Sequence, residues 1–465
     1  YNLIGDVYAG YMSGTNNWNG GTNPQIYALN GTDWCNVPFS ESFTNVMPAW
    51  LQLKYAHANG LLSDDIFAVA NILKVMSLHR VSDIYGPLPV LHFGETENPY
   101  NSQEECYMHF FETLDSAIAV LKDVVENNPD AKPLEEVDAL YHGDYSKWLK
   151  LANSVKLRLA MRICYVKPDL AKQYAMEAVR DGVMETADDS ALFQSWGSIT
   201  IINPLEKIWN GYSDTRMGAS MDSYLNGYND PRLPVYFQPV TEGDNKGEYR
   251  GVANGMPNPQ QEDYKAMSAP NVQEKSTDSP LRWMMASEVA FLRAEGAMRG
   301  WTAEMGGTAE EFYNKGIELS FLENGLSADA AARYAADETS KPTDFTDVSA
   351  ANTKYNISAL GKITIKWNAG ASEEEQLERI ITQKWIAMFP NGTEAWSEFR
   401  RTGYPLIFPV RSNYPTSGVD TNKQIRRMVF PQSEYSNNGA AVQEAVKLLG
   451  GPDNGGTKLW WDKKN

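Results

Sequence analysis

The sequence has little of what most enzymes and nucleic-acid proteins are built from. Of 465 residues only three are cysteine (Cys35, Cys106 and Cys164), far apart and odd in number, which gives neither a disulfide framework nor a metal spacing. Buried free thiols are the expectation. Histidine is almost as scarce: of the five (His57, His79, His92, His109 and His142), none pairs with another at the i, i+4 spacing that places two ligands on one helix face. There is no G-x-S-x-G elbow, no phosphate-binding glycine loop, no G-x-G-x-x-G and no H-E-x-x-H. Positive charge is outnumbered, with 41 Lys and Arg against 59 Asp and Glu and a net charge of −18. That argues against nucleic acid, because gripping phosphate backbones needs clustered cations, and it disfavours unassisted adhesion to an anionic membrane. No apolar stretch approaches the ~18 residues of a spanning helix; the longest, Ile66 to Met76, is broken by Asn71 and Lys74.

Helical periodicity is plentiful. Ser102 with Glu105, Thr308 with Glu311 and Ser372 with Glu375 have capping-box spacing, each ahead of an apolar stripe. The first stripe carries Phe110, Phe111, Leu114, Ile118 and Leu121, and a partner helix is expected from about Tyr145, with Trp148, Leu151, Val155 and Leu159. Further helices are expected over 65–81 and 284–299, with Pro390 stopping the one opened by Ser372. Helix hairpins of this size resemble tetratricopeptide units, although the full consensus is absent and their spacing is irregular. The fold class read from these patterns is mainly α: TPR-like helix hairpins forming a scaffold, with an inserted loop-rich region containing a few short strands. The scaffold is assigned to 1–195, 280–340 and 370–403 of a single unit spanning 1–465. The loop-rich, variable region is assigned to 196–279 and 404–456, where Gly, Pro, Asn and Asp concentrate. Leu233 to Phe237 and Arg427 to Phe430 read as short strands inside it.

Aromatic residues are in excess, with 13 Trp and 24 Tyr. Trp148, Trp283 and Trp385 lie in or beside periodic helices, where packing is the expected role. Others sit among turn residues. Trp18 lies within Gly14–Gly21, Trp34 follows Asn30-Gly31-Thr32-Asp33, and Trp209 precedes Asn210, Gly211, Tyr212 and Asp214. A flat ring takes the C–H face of a pyranose while Asn, Asp or Arg pair with its hydroxyl rim, so such a site needs a rigid platform and no catalytic group. Trp18, Trp34, Trp209 and Tyr212 are the candidate platform, with Trp196 and Asp214 as weaker additions. The competing role for each is to anchor its loop to the scaffold. No catalytic residue, metal ligand or cofactor is assigned. Asp188 and Asp189 are a weak calcium signal, and Glu373, Glu374 and Glu375 read as charge complementing a helix N-terminus.

Five segments, taken in order, carry a family resemblance. Ser82 to Pro89 (SDIYGPLP) resembles the D-x-Y-G-x-x-P signature of SusD-like proteins. Trp148 to Arg162 (WLKLANSVKLRLAMR), Trp283 to Gly300 (WMMASEVAFLRAEGAMRG) and Ile380 to Gly403 (IITQKWIAMFPNGTEAWSEFRRTG) resemble further helices of that family. Asn229-Asp230-Pro231-Arg232 also recurs there. The chain is similar to the SusD/RagB family over about residues 1 to 430, and the opening LIGDVYAGY points to the second SusD-like subgroup. The resemblance implies an outer-membrane, cell-surface lipoprotein whose lipidated cysteine and export signal precede this sequence. It implies a helical scaffold meeting a SusC-like TonB-dependent transporter, and aromatic loops meeting an oligosaccharide or, in some members, a peptide. It implies no enzyme activity. The matched motifs are structural, so the resemblance transfers no ligand contact. A peptide-binding relative, an all-α glycosidase using two of the many carboxylates and a TPR-like adaptor with no small ligand remain the alternatives.

Overall fold

Helix starts follow local chemistry. Ser102 Oγ accepts from the Glu105 amide at 3.2 Å and Glu105 Oε2 accepts from the Ser102 amide at 2.7 Å. Thr308 and Glu311 repeat the exchange at 3.2 and 2.8 Å. Each box satisfies two amides that the first helical turn leaves open, and a side-chain cap of this kind contributes about 1 kcal/mol. At Ser372 only half of the expected box forms. Its hydroxyl accepts from the Glu375 amide at 3.2 Å, but Glu375 turns away to Arg379 Nη1 at 2.8 Å. A guanidinium one turn along is the stronger donor.

The structure, a computed structural model, describes residues 2–29, 33–257, 259–272 and 279–464. Asn30, Gly31 and Thr32, part of the expected Trp34 turn, and Tyr1 lie outside the described residues. The fold is mainly α. The longer helices, in chain order, are α1 (Met47–Ala58), α2 (Asp64–Tyr85), α3 (Gln103–Asn127), α4 (Tyr145–Arg162), α5 (Pro168–Asp181), α6 (Ala219–Gly227), α7 (Ala286–Met298), α8 (Ala309–Leu322), α9 (Ala328–Ala335), α10 (Glu373–Ala387), α11 (Gly392–Thr402) and α12 (Gln432–Leu449).

These elements form two units. One comprises residues 29–184, 196–199 and 416–465. Within it α1 packs on α2, α2 on α3, α3 on α4 and α4 on α5, which is the consecutive pairing of a TPR-like array. Asp83, the acid of the SDIYGPLP segment, is the hub of its buried polar core. It accepts from the Tyr107 hydroxyl, from Trp461 Nε1 at 2.8 Å and from Arg162 Nε at 3.2 Å.

The other unit comprises residues 1–28, 185–195 and 200–415. Here α7 packs on α8 and α10, and α8 on α9. Two antiparallel ribbons complete it: β1 (Met12–Gly14) with β3 (Thr215–Met217), and β2 (Ala191–Phe193) with β4 (Leu281–Met284). Its loop-rich stretch has an apolar cluster of its own, in which Val240, Val252, Met256, Tyr264, Phe345 and Phe408 are buried together.

Some expectations are corrected. Leu233–Tyr236 is a helical turn and no strand, because Pro234 favours the first turn of a helix and Asp230 Oδ1 caps the preceding Arg232 amide at 2.9 Å. Arg427 to Phe430 is extended but joins no ladder among the described residues. The Met428 amide bonds Ile84 O at 2.9 Å and the Phe430 amide bonds Asp453 at 3.2 Å. Part of the 404–456 stretch is the helix α12, whose buried face amounts to Val442 and Ala445, too little for a visible stripe. Asp189 is committed to its own loop, accepting from the Glu185 and Thr186 amides and the Thr186 hydroxyl, each at 3.0 Å.

Candidate ligand-binding site

The β1–β3 ribbon pairs Met12 with Met217 and Gly14 with Thr215, so the loop after β1 meets the turn before β3. The Thr15 amide bonds Asp214 O at 2.8 Å, and the Trp18 indole N–H donates to Asp214 Oδ2 at 2.6 Å. Beneath the ring only glycine fits at position 14, since a Cβ there would stand 2.5 Å from Trp18 Cζ3 and from Gln25 Oε1. The turn beyond is left-handed at Asn19 and Gly20, with φ of 50° and 62°, which these two residue types tolerate. Trp18 is thereby held half-buried in a fixed orientation.

Asp214 is 5% exposed, and its second oxygen, Oδ1, is buried with no hydrogen-bond partner among the described residues. Burial raises its carboxyl above the ordinary carboxylate range, against the opposing pull of the Trp18 bond. Two residues on, burial pulls the Arg216 guanidinium down to about 10, with the Asp214 charge opposing.

Trp209 and Tyr212 lie on the segment that leads into Asp214. Trp209 is half-buried in the turn Lys207–Gly211, its indole N–H covered and unpartnered among the described residues. Tyr212 is 51% exposed, with Lys207 Nζ 5.4 Å from its ring centroid. Of the six candidates, Trp18, Trp209, Tyr212 and Asp214 therefore belong to one ribbon and its turns.

Trp34 and Trp196 belong to the other unit. Trp34 is half-buried in the turn Asp33–Cys35. Trp196 is 37% exposed, donates to Glu135 O at 2.7 Å and has the His142 ring 3.6 Å away.

Sequence reasoning missed a cleft of about 280 Å³ in the unit that holds the ribbon, lined by Asn203, Tyr236, Asn271, Arg282, Asn324 and Phe389 among others. Arg282 Nη2 donates to Asn324 Oδ1 at 2.8 Å, whereas Nη1 is buried without a partner among the described residues. Asn203 and Asn271 lie in the stretch 196–279 assigned as loop-rich, but neither was singled out. Nothing in the sequence singled out Arg282 or Asn324, which lie in stretches assigned to the scaffold.

Helix pairs joined by long loop-rich segments define the fold, and the comparisons name its family. Residues 1–462 match the family model described as SusD-like, Susd and RagB outer membrane lipoprotein, and the chain belongs to that family. Among solved structures it resembles a chitin-binding SusD homologue from Flavobacterium johnsoniae, with 40% identity, a TM-score of 0.92 and coverage of 100% of this chain and 94% of that one. It also resembles a SusD-like protein from Bacteroides thetaiotaomicron, with 39% identity, a TM-score of 0.92 and coverage of 99% and 93%. A SusD homologue from Bacteroides vulgatus matches at 34% identity and a TM-score of 0.92, covering 100% and 92%. No match was found among curated proteins. The family is one of outer-membrane lipoproteins, and none of the described helices is long and apolar enough to cross a membrane.

Proposed function

We propose that this protein binds a neutral oligosaccharide at the outer-membrane surface and delivers it to a SusC-like TonB-dependent transporter, without cleaving it. The observation that carries this reading is the Trp18 indole fixed by Asp214, two residues after the half-exposed Tyr212. A pre-oriented aromatic face loses little freedom on binding, so more of its contact energy appears as affinity. Polar groups for the hydroxyl rim stand nearby on Asn16, Asn17 and Asn210. The net charge of −18 favours an uncharged ligand over an anionic polymer.

Trp18, Trp209, Tyr212 and Asp214 form the core of the proposed platform, with Trp34 and Trp196 as further candidate contacts of the other unit. Loops within 196–279, and within 404–456 outside α12, are the candidate ligand-contacting segments, and the helical scaffold meets the transporter. Because the Flavobacterium johnsoniae neighbour is chitin-binding, oligomers of N-acetylglucosamine are the first ligands to try. The test is an affinity-gel and calorimetric screen of wild type against Trp18→Ala, Trp34→Ala, Trp209→Ala and Tyr212→Ala. At least one ribbon substitution weakens binding about tenfold or more, equivalent to about 1.4 kcal/mol, with the circular dichroism spectrum unchanged. If none of the four weakens binding, the platform lies elsewhere.

A further inference from the structure

The helical unit holds a second cavity, lined by none of the residues assigned above. It measures about 530 Å³, within the range of small-molecule sites, and is walled by Trp50, Phe67, Val90, Leu91 and Phe93. Polar side chains complete the lining, among them Lys74, on α2, which is only 3% exposed. Buried lysines are almost always paired with a carboxylate. Lys74 has none among the described residues. One N–H donates to His109 Nε2 at 3.2 Å, and the ammonium sits 4.1 Å from the Trp50 ring centroid. The amine keeps a further proton for which no acceptor stands among the described residues.

The charged and titratable groups around it are few. From α1 come Lys54, whose Nζ is 5.5 Å from the Trp50 centroid, and His57, which bonds Asp64 at 2.7 Å and stacks on Phe67 at 4.4 Å. From α3 come His109 and the exposed Glu112, while the 90–93 segment carries His92, which is exposed and bonds Glu95 at 3.0 Å. Burial, with the Lys74 and Lys54 charges adding to it, pulls His109 down to about 4, so its ring is neutral at ordinary pH and accepts from Lys74. Burial and then the Lys54 charge pull Lys74 itself down to about 7. The cavity therefore offers two amines, two imidazoles, three aromatic walls and one exposed carboxylate, Glu112.

We propose that this cavity is a second ligand site, independent of the aromatic ribbon, that takes a small organic anion: a carboxylate on Lys74 Nζ with a flat apolar body against Trp50, Phe67 and Phe93. An uncharged analogue of the same shape leaves the buried ammonium unpaired and is discriminated against accordingly. A bound carboxylate also favours the charged amine, so binding takes up a proton above neutrality and weakens as pH rises.

Benzoate is a suitable probe and benzamide its uncharged counterpart, titrated calorimetrically into the intact protein near pH 6 and near pH 9. Benzoate binds at the lower pH, at least tenfold more weakly at the higher one, and benzamide does not compete. Lys74→Met abolishes the heat of binding while Lys74→Arg retains it, with circular dichroism confirming each fold. Benzoate failing to bind, benzamide binding equally, or Lys74→Met binding benzoate like wild type would each overturn the assignment. If Lys74→Met does not fold, the pH comparison and the benzamide control decide the matter on wild type alone.

Discussion

Arg401, near the end of α11, grips Glu295 of α7 through two hydrogen bonds, Nη1 to Oε1 at 2.7 Å and Nη2 to Oε2 at 2.6 Å, with both side chains fully buried. Arg299 reaches the same carboxylate at 2.8 Å. Arg401 also bonds Glu398, which in turn holds Lys384 at 2.9 Å. Burial pushes the Glu295 carboxyl up, but the Arg401 and Arg299 charges outweigh it and hold the group well below its usual range.

Replacing Glu295 with Ala removes the carboxylate that Arg401 grips through two hydrogen bonds and that Arg299 also reaches. Breaking a buried pair in this way costs about 3–5 kcal/mol. Thermal denaturation should show the loss, and a melting temperature within a degree or two of wild type would contradict it. The sign with pH follows from the lowered value: the stability Glu295 contributes is present above its unfolded pKa and is lost as pH falls through the folded one.

Asp214 behaves oppositely. Its folded carboxyl titrates above the unfolded value, so its effect on stability favours the fold below the unfolded pKa and fades as pH rises through the folded one. The ionised form is the better acceptor for Trp18, so indole anchoring strengthens over the same range. Asp214→Ala should therefore leave melting nearly unchanged at neutral pH yet weaken oligosaccharide binding about tenfold, read by calorimetry. Unchanged affinity would mean that Trp18 needs no anchor.

Lys74 gives a further pH signature. A folded pKa of about 7 against an unfolded 10.5 means that its stability contribution is present above the unfolded value and lost as pH falls. Between those limits wild type should gain on Lys74→Met by up to about 1.4 kcal/mol per pH unit as pH rises, measured by urea denaturation. Parallel stability curves for the two proteins would contradict the shift.

Much of the scaffold was legible because its signals are local. Capping residues, stripes and the Pro390 stop each lie within a turn or two of what they control. The segments resembling SusD-like helices were visible too, but their reasons are tertiary. Asp83 is placed by Tyr107, Arg162 and Trp461, and Asp230 by Arg232 and by Tyr334 at 2.7 Å. No spacing rule joins Asp83 to Trp461 or Asp230 to Tyr334, which are 378 and 104 positions apart. The ribbon shows the same limit, since Trp18 and Asp214 were each singled out for company among turn residues and their bond emerged only from β1–β3 pairing. Helix α12 escaped because its apolar face is thin, and Lys74 because a lone lysine in a helical stripe reads as solvated charge.

The measurement that tests the central claim most directly is calorimetric titration of the purified protein with neutral oligosaccharides, N-acetylglucosamine oligomers first, alongside an assay for released reducing ends. The account predicts saturable binding that falls about tenfold or more in Trp18→Ala, with no release of reducing sugar. Release would make the protein a glycosidase, and an absence of binding across a broad neutral glycan panel would contradict the reading of the aromatic ribbon as a sugar platform.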